Sequence, residues 1–134
     1  VHTVGAWLSA AWIADTKELG RAMPYREGAS GVVQYFVLAD RERPYYWVIK
    51  DGQLFDAGLG EHPSPDVSIT VDVDVARAMQ MGELEPTTAF LEGRLEVEGN
   101  LDLLVGLLPI TSSPEYRELE QELARRTDFD LIGD

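Results

Sequence analysis

The residues that could carry chemistry are few in kind. Histidine occurs twice, as His2 near the start and His62 before Pro63, and cysteine is absent. A zinc or redox-metal centre therefore has a poor ligand supply, and both histidines read as surface-loop residues. Ser30 lies in Gly28-Ala29-Ser30-Gly31, which lacks the G-x-S-x-G spacing of a nucleophile elbow and has no strand directly before it. Neither a G-x-G-x-x-G run nor a Walker-type loop occurs, so no nucleotide and no other cofactor is expected. Carboxylates are abundant. Glu96 and Glu98 fall on the polar face of a strand, and Glu118, Glu120 and Glu122 on a mixed helix surface, where solvation explains them. Asp56, Gln34 and Tyr35 sit on strands where one of them could face inward; the simpler reading turns all three to solvent, because charged and amide groups are rarely buried unpaired. No catalytic or metal-binding residue is assigned, and the chain is expected not to be an enzyme.

The elements that would position these groups follow from periodicity. From Ala6 to Met23 the residues Trp7, Leu8, Ala11, Trp12, Leu19 and Met23 recur mostly at helical spacing, which predicts an N-terminal helix stopped by Pro24. Residues 25–31 have loop composition and read as a hinge. Val32 to Leu38 and Tyr45 to Lys50 are rich in β-branched and aromatic residues, with turn chemistry in Asp40 to Pro44, and pair as a hairpin. Asp51-Gly52 is the strongest hairpin signal in the chain and leads to a third strand, Gln53 to Ala57. Val67 to Asp72 alternates strictly, as do Arg94 to Glu98, so Val67, Ile69, Val71, Leu95 and Val97 should share one sheet face. Between these two strands lie a helix containing Val75, Ala78 and Met79 that ends at Gly82, and a second that starts at Pro86. Leu101 to Leu108 is almost continuously apolar and is expected to be covered on most sides, closing at Pro109. Ser113-Pro114 opens a last helix with Tyr116, Leu119 and Leu123 as its inner stripe.

Composition bounds what such a chain can do. At 134 residues, 45% hydrophobic and 26% charged, it has the profile of one globular domain and not of a disordered or collagen-like chain. The predicted organisation is a helical arm and hinge over residues 1–30, a core over 31–108, and a C-terminal helix and tail over 109–134. Eleven Lys and Arg against twenty-four Asp and Glu leave a net charge of -13, which repels nucleic acid and anionic membranes at long range. No apolar run reaches the length of a membrane span, so neither nucleic-acid binding nor stable membrane insertion is expected. With no cysteine to oxidise, a cytoplasmic location fits best. Nothing in the pattern indicates the oligomeric state.

One sheet with a single apolar face, combined with several short helices, offers more apolar surface than a thin sheet needs. A solid core is the simpler reading of that pattern, because large apolar pockets are few per protein, and the same pattern would serve a lined cavity. The ordered residues Asp66 to Val71, then Gly82-Glu83-Leu84, Pro86, Ala89-Phe90, Gly93, Leu95, Val97, Gly99, and Leu104, Leu107 and Leu108 carry a family resemblance. This order resembles the sterol carrier protein type 2 family, in which a D-V-x-I-T strand leads through a helix to G-x-L, P-x-x-A-F, G-x-L-x-V-x-G and a leucine-rich helix. Tyr35, Trp47 and Asp51-Gly52 also fit, and the match covers Gly31 to Leu108, about three-fifths of the chain.

The resemblance implies an α+β fold: a five-stranded, mostly antiparallel sheet with short helices on one face, enclosing an apolar cavity. The implied function is binding and carriage of a sterol, fatty acid, fatty acyl chain or hydrophobic metabolite. Phe90, Leu104, Leu108, Met79 and Val97 are the expected ligand contacts. Two alternatives stay open, an interaction or scaffolding module of a larger assembly and a biosynthetic enzyme acting within the same cavity. Carriers of that family tend to be basic, whereas this chain is strongly acidic.

Overall fold

A computed structural model describes the backbone of residues 5–21, 23, 25–111 and 113–132, and the side chains of these except 5, 108–111 and 130–132. The main sheet is built from β2 (Gly31–Leu38), β3 (Glu42–Lys50), β4 (Gln53–Leu59), β5 (Val67–Asp72) and β6 (Glu96–Gly99). A second, two-stranded sheet joins β1 (Gly5–Trp7) to β7 (Thr127–Ile132). Among the described residues there are five helices: α1 (Ala10–Gly20), α2 (Val73–Gln80), α3 (Pro86–Leu91), α4 (Leu101–Thr111) and α5 (Pro114–Arg125).

The five strands lie in the order β4-β3-β2-β5-β6. Asp51 and Gly52 carry φ of 50° and 83°, the two left-handed residues that a tight β3–β4 hairpin turn requires. After β4 the chain crosses to the free edge of β2, where β5 pairs parallel, so the otherwise antiparallel sheet is mixed. Asp66 fixes this join. Its Oδ2 accepts a hydrogen bond from the Val32 N–H at 2.8 Å, its own N–H donates to the Val32 carbonyl at 3.0 Å, and its carbonyl accepts from Asn100 at 2.9 Å. Gly99 closes over that carbonyl with φ 106°, and a Cβ there would lie 2.6 Å from the Asp66 oxygen.

Cross-strand register places Val33 beside Trp47 and Val67, and Tyr35 beside Tyr45 and Ile69. These residues form the inner face on which the helices pack, and Val67, Ile69 and Val71 are buried there as their alternation requires. Leu95 and Val97 pack against the same core while keeping partial exposure at the sheet edge. On the opposite face Gln34 is 1% exposed. Its amide nitrogen donates to the carbonyls of Tyr45 (3.0 Å), Gly60 (3.0 Å) and Tyr35 (3.2 Å), and its oxygen accepts from the His62 N–H (2.8 Å). The solvent-facing reading of Gln34 is therefore corrected: the side chain is buried because the backbone supplies every partner it needs.

Several element boundaries also differ from the sequence reading. The N-terminal segment is not one helix from Ala6. Trp7 ends strand β1, Leu8 turns the chain at φ 63°, and Ser9 caps α1 by accepting a hydrogen bond from the Trp12 N–H at 3.2 Å. That helix ends at Gly20, before Pro24, which lies outside the described residues. The C-terminal tail forms β7, with Phe129 against Trp7 at 5.7 Å between ring centroids. Residues 25–30, read as a hinge, are tied to the β3–β4 turn: Arg26 and Gly28 donate to Asp51, Asp51 donates to the Ser30 hydroxyl, and Gly52 donates to the Ala29 carbonyl. Helix α4 runs to Thr111, past Pro109, and is not covered on most sides, since Leu101 and Val105 are 49% and 55% exposed.

Candidate functional site

The inner sheet face and the helices do not close fully on one another. Between them lies an apolar pocket with about 80 Å³ open to the centre of a water molecule. Its floor is aromatic. Tyr35 and Tyr45 stack at 4.7 Å with their rings 11° apart, and Trp47 meets Tyr35 edge-on at 5.3 Å. Such pairs hold rigid, well-defined geometry while presenting apolar faces. Ile69 and Val71 extend the floor along β5, and Met79 of α2, Phe90 of α3, Leu104 and Leu107 of α4 and Tyr116 of α5 form the opposite wall.

Each wall residue reaches its place by helical spacing. Asp72 precedes α2 with extended backbone, and seven residues later Met79 returns to the sheet side. Glu85 and Pro86 start α3, in which Ala89 is fully buried and Phe90 turns to the pocket. In α4, Leu104 and Leu107 are three apart and face inward together. Ser113 caps α5 by accepting from the Tyr116 N–H at 3.2 Å. Tyr116, Glu120 and Leu123 then follow at i, i+4 and i+7, one inward stripe.

Glu120 is therefore not one more solvated carboxylate, and its sequence reading is corrected. It is partly buried at the pocket wall, and desolvation raises its pKa from 4.5 to about 7, against a smaller opposing effect of Arg117. No described residue makes a hydrogen bond or ion pair with its carboxylate. Glu118 is exposed, and Glu122 is ion-paired with Arg125 and Arg126, which lowers its pKa. Burial pushes the hydroxyls of Tyr35, Tyr45 and Tyr116 upward, so all three are neutral donors at physiological pH.

The pocket communicates with the surface. A groove lined by Met81, Glu85, Arg117 and Gln121 shares Met79, Gln80, Pro86 and Glu120 with it. Across this groove Arg117 of α5 pairs with Glu85 at 2.7 Å. A small recess beneath α1 and α5, bordered by Leu19, Leu54 and Leu123, also shares Gln80, Tyr116 and Glu120 with the pocket. Gln80 and Glu120 thus stand where groove, pocket and recess meet.

Of the residues singled out in the sequence, Met79, Phe90 and Leu104 come together on the pocket wall. Val97 pairs with Ile69 at the sheet edge and packs on the core instead, while its neighbour Leu95 reaches the pocket. The Leu108 side chain lies outside the described residues. Asp56 pairs with Lys17 at 2.9 Å, which holds its carboxyl below the usual range. Ser30 and His62 serve loop structure, the hydroxyl accepting from Asp51 and the imidazole Nδ1 from Ser64. Among the described residues no group of three or more His, Asp and Glu could hold a metal ion, and no helix is long and apolar enough to cross a membrane. Sequence reasoning missed Glu120, although its spacing from Tyr116 and Leu123 contained the signal.

Residues 14–110, more than half of the chain, match the model of the SCP-2 sterol transfer family. No curated protein matches the chain significantly. Among solved structures, a conserved hypothetical protein of Thermus thermophilus, described as possibly a sterol carrier protein, has 21% identity and a TM-score of 0.71, over 90% of this chain and 94% of its own. Sterol carrier protein 2-like 2 of Aedes aegypti has 23% identity and a TM-score of 0.61, over 75% and 93%. The palmitated form of that mosquito protein has 22% identity and a TM-score of 0.61, over 78% and 96%. At these identities the likeness shows a shared fold.

Proposed function

We propose, from the premise that the chain belongs to the SCP-2 sterol transfer family, that it binds an apolar ligand reversibly in the pocket beneath the sheet and carries it unchanged. The carrying observation is the pocket itself, in which aromatic and aliphatic side chains from the sheet and from four helices surround open space instead of filling it. The ligand is a sterol, a fatty acid or acyl chain, or a hydrophobic metabolite of similar size. A related fold in palmitated form supports a long-chain occupant.

At about 80 Å³ the pocket is well below the ~300–1,000 Å³ that encloses drug-sized molecules. Loading a sterol or long chain therefore requires the wall to part. The groove beside Glu120 is the natural way in, because it already meets the pocket at Met79, Gln80 and Pro86. Met79, Phe90 and Leu104 are the proposed ligand contacts, with Val97 supporting the floor from the edge.

Binding without turnover is the preferred reading, since the inward polar groups are neutral tyrosines, Gln80 and Glu120, and no nucleophile–base pair is found among the described residues. We place the module in the cytoplasm on the absence of cysteine, and the charge of -13 argues against nucleic-acid or anionic-membrane partners. Titration with diphenylhexatriene, a neutral probe fluorescent in apolar surroundings, tests the reading. Saturable binding that long-chain alcohols or sterols compete away is expected. A chain that binds neither probe nor competitor would favour the scaffolding alternative, and conversion of a competitor lost in Glu120→Gln would favour an enzyme.

A further inference from the structure

The aromatic and aliphatic walls explain affinity for an apolar body but not for a particular head. Among the described residues nearly every side chain around the pocket is apolar or neutral, and Glu120 is the one carboxylate there. It stands at the junction with the groove, where the polar end of an inserted lipid would come to rest. We infer that Glu120 selects the head group, so that the pocket takes lipids ending in a neutral hydrogen-bond donor, a hydroxyl above all, and disfavours lipids with a permanently anionic head. The inference rests on the lipid-binding reading and names the ligand class within it.

The chemistry follows from the donor inventory. An ionised carboxylate only accepts hydrogen bonds, so an alcohol can satisfy it while an anionic head can only repel it. In a partly desolvated site that repulsion is screened far less than in water. The charged and titratable groups facing Glu120 are Tyr35 on β2, Tyr45 on β3, and Tyr116 and Arg117 on α5. Gln80 of α2 is neutral, and from the start of α3 Glu85 engages Arg117 at 2.7 Å on the groove side, so the nearest cation is already paired. The tyrosines stay protonated well above neutrality, which leaves Glu120 as the wall group that changes charge near pH 7.

The test compares dodecanol with dodecane-1-sulfonate, equal in chain length and neither titrating, as competitors for diphenylhexatriene on the full chain below their aggregation limits. Because the sulfonate is intrinsically more hydrophilic, the quantity read is the change in the alcohol-to-sulfonate preference. Glu120→Gln should reduce that preference about tenfold at about pH 8, equivalent to roughly 1.4 kcal/mol. Moving the unaltered protein from about pH 8 to about pH 5 should narrow it by a similar factor, because the protonated carboxyl no longer repels. The pH arm needs no variant and stands even if the substitution unfolds the chain. An unchanged preference in both arms, with the probe still bound, overturns the inference and leaves the lipid-binding reading intact. Failure of the probe to bind at all overturns both.

Discussion

Replacing Glu120 by glutamine keeps the shape of the side chain and removes its charge, so it isolates what burying that charge costs the fold. The carboxyl pKa rises from 4.5 to about 7 on folding, with desolvation as the leading cause. The folded chain therefore holds a proton that the unfolded chain releases between those values. Glu120 is most favourable to the fold below about pH 4.5, and that contribution is lost as pH rises, completely once pH passes about 7. At about 1.4 kcal/mol per pH unit the full effect would approach about 3 kcal/mol; contact with the groove admits water, so about 1–2 kcal/mol is the expected size. In urea unfolding, Glu120→Gln should be more stable than the unaltered chain by that amount at about pH 8 and nearly equal to it at about pH 4.5. Following the difference between the two proteins cancels the opposite acid-side contributions of Asp40, Asp56 and Glu122, whose pKa values are lowered. A difference that does not vary with pH, or a glutamine variant less stable at both ends, would refute the reasoning by showing that Glu120 is solvated or hydrogen-bonded as an anion.

Three further outcomes are expected. Leu104→Trp should fill the pocket and abolish diphenylhexatriene binding with little change in melting temperature, whereas a solid site would lose roughly 1–3 kcal/mol from overpacking. Gln34→Leu should cost about 2–4 kcal/mol in chemical denaturation, because the carbonyls of Tyr45 and Gly60 and the N–H of His62 lose their partner; a near-neutral result would mean that solvent satisfies them. Gly99→Ala should lower stability by about 1–3 kcal/mol, since φ is 106° and the new methyl would meet the Asp66 carbonyl, and thermal melting within a degree of the unaltered chain would contradict that geometry.

Much of the fold was legible because its signals are local. The alternation of Val67, Ile69 and Val71, the Asp51-Gly52 turn and the Ser113-Pro114 helix start each act within a few residues, and each recurs in the structure. The small β1–β7 sheet was missed because its pairing joins opposite ends of the chain. Asp128-Phe129-Asp130-Leu131 does alternate, but three-residue β1 has too little pattern to name it as a partner. Gln34 was misread for a related reason: its partners come from β3 and from the loop after β4, whose approach no propensity encodes. Glu120 is different. Its i+4 spacing from Tyr116 placed it on the inner stripe, and the residue's charge outweighed a periodicity that pointed the right way.

The central claim is that an apolar ligand occupies the space between the aromatic sheet floor and the helices. Nuclear Overhauser contacts between a saturating long-chain alcohol and a methyl-labelled sample read that position directly. Ligand protons are expected to show contacts to the methyls of Met79, Leu104 and Val71, which line the pocket from α2, α4 and β5. Contacts confined to Leu101 and Val105 on the exposed face of α4, or none at all, would contradict the account.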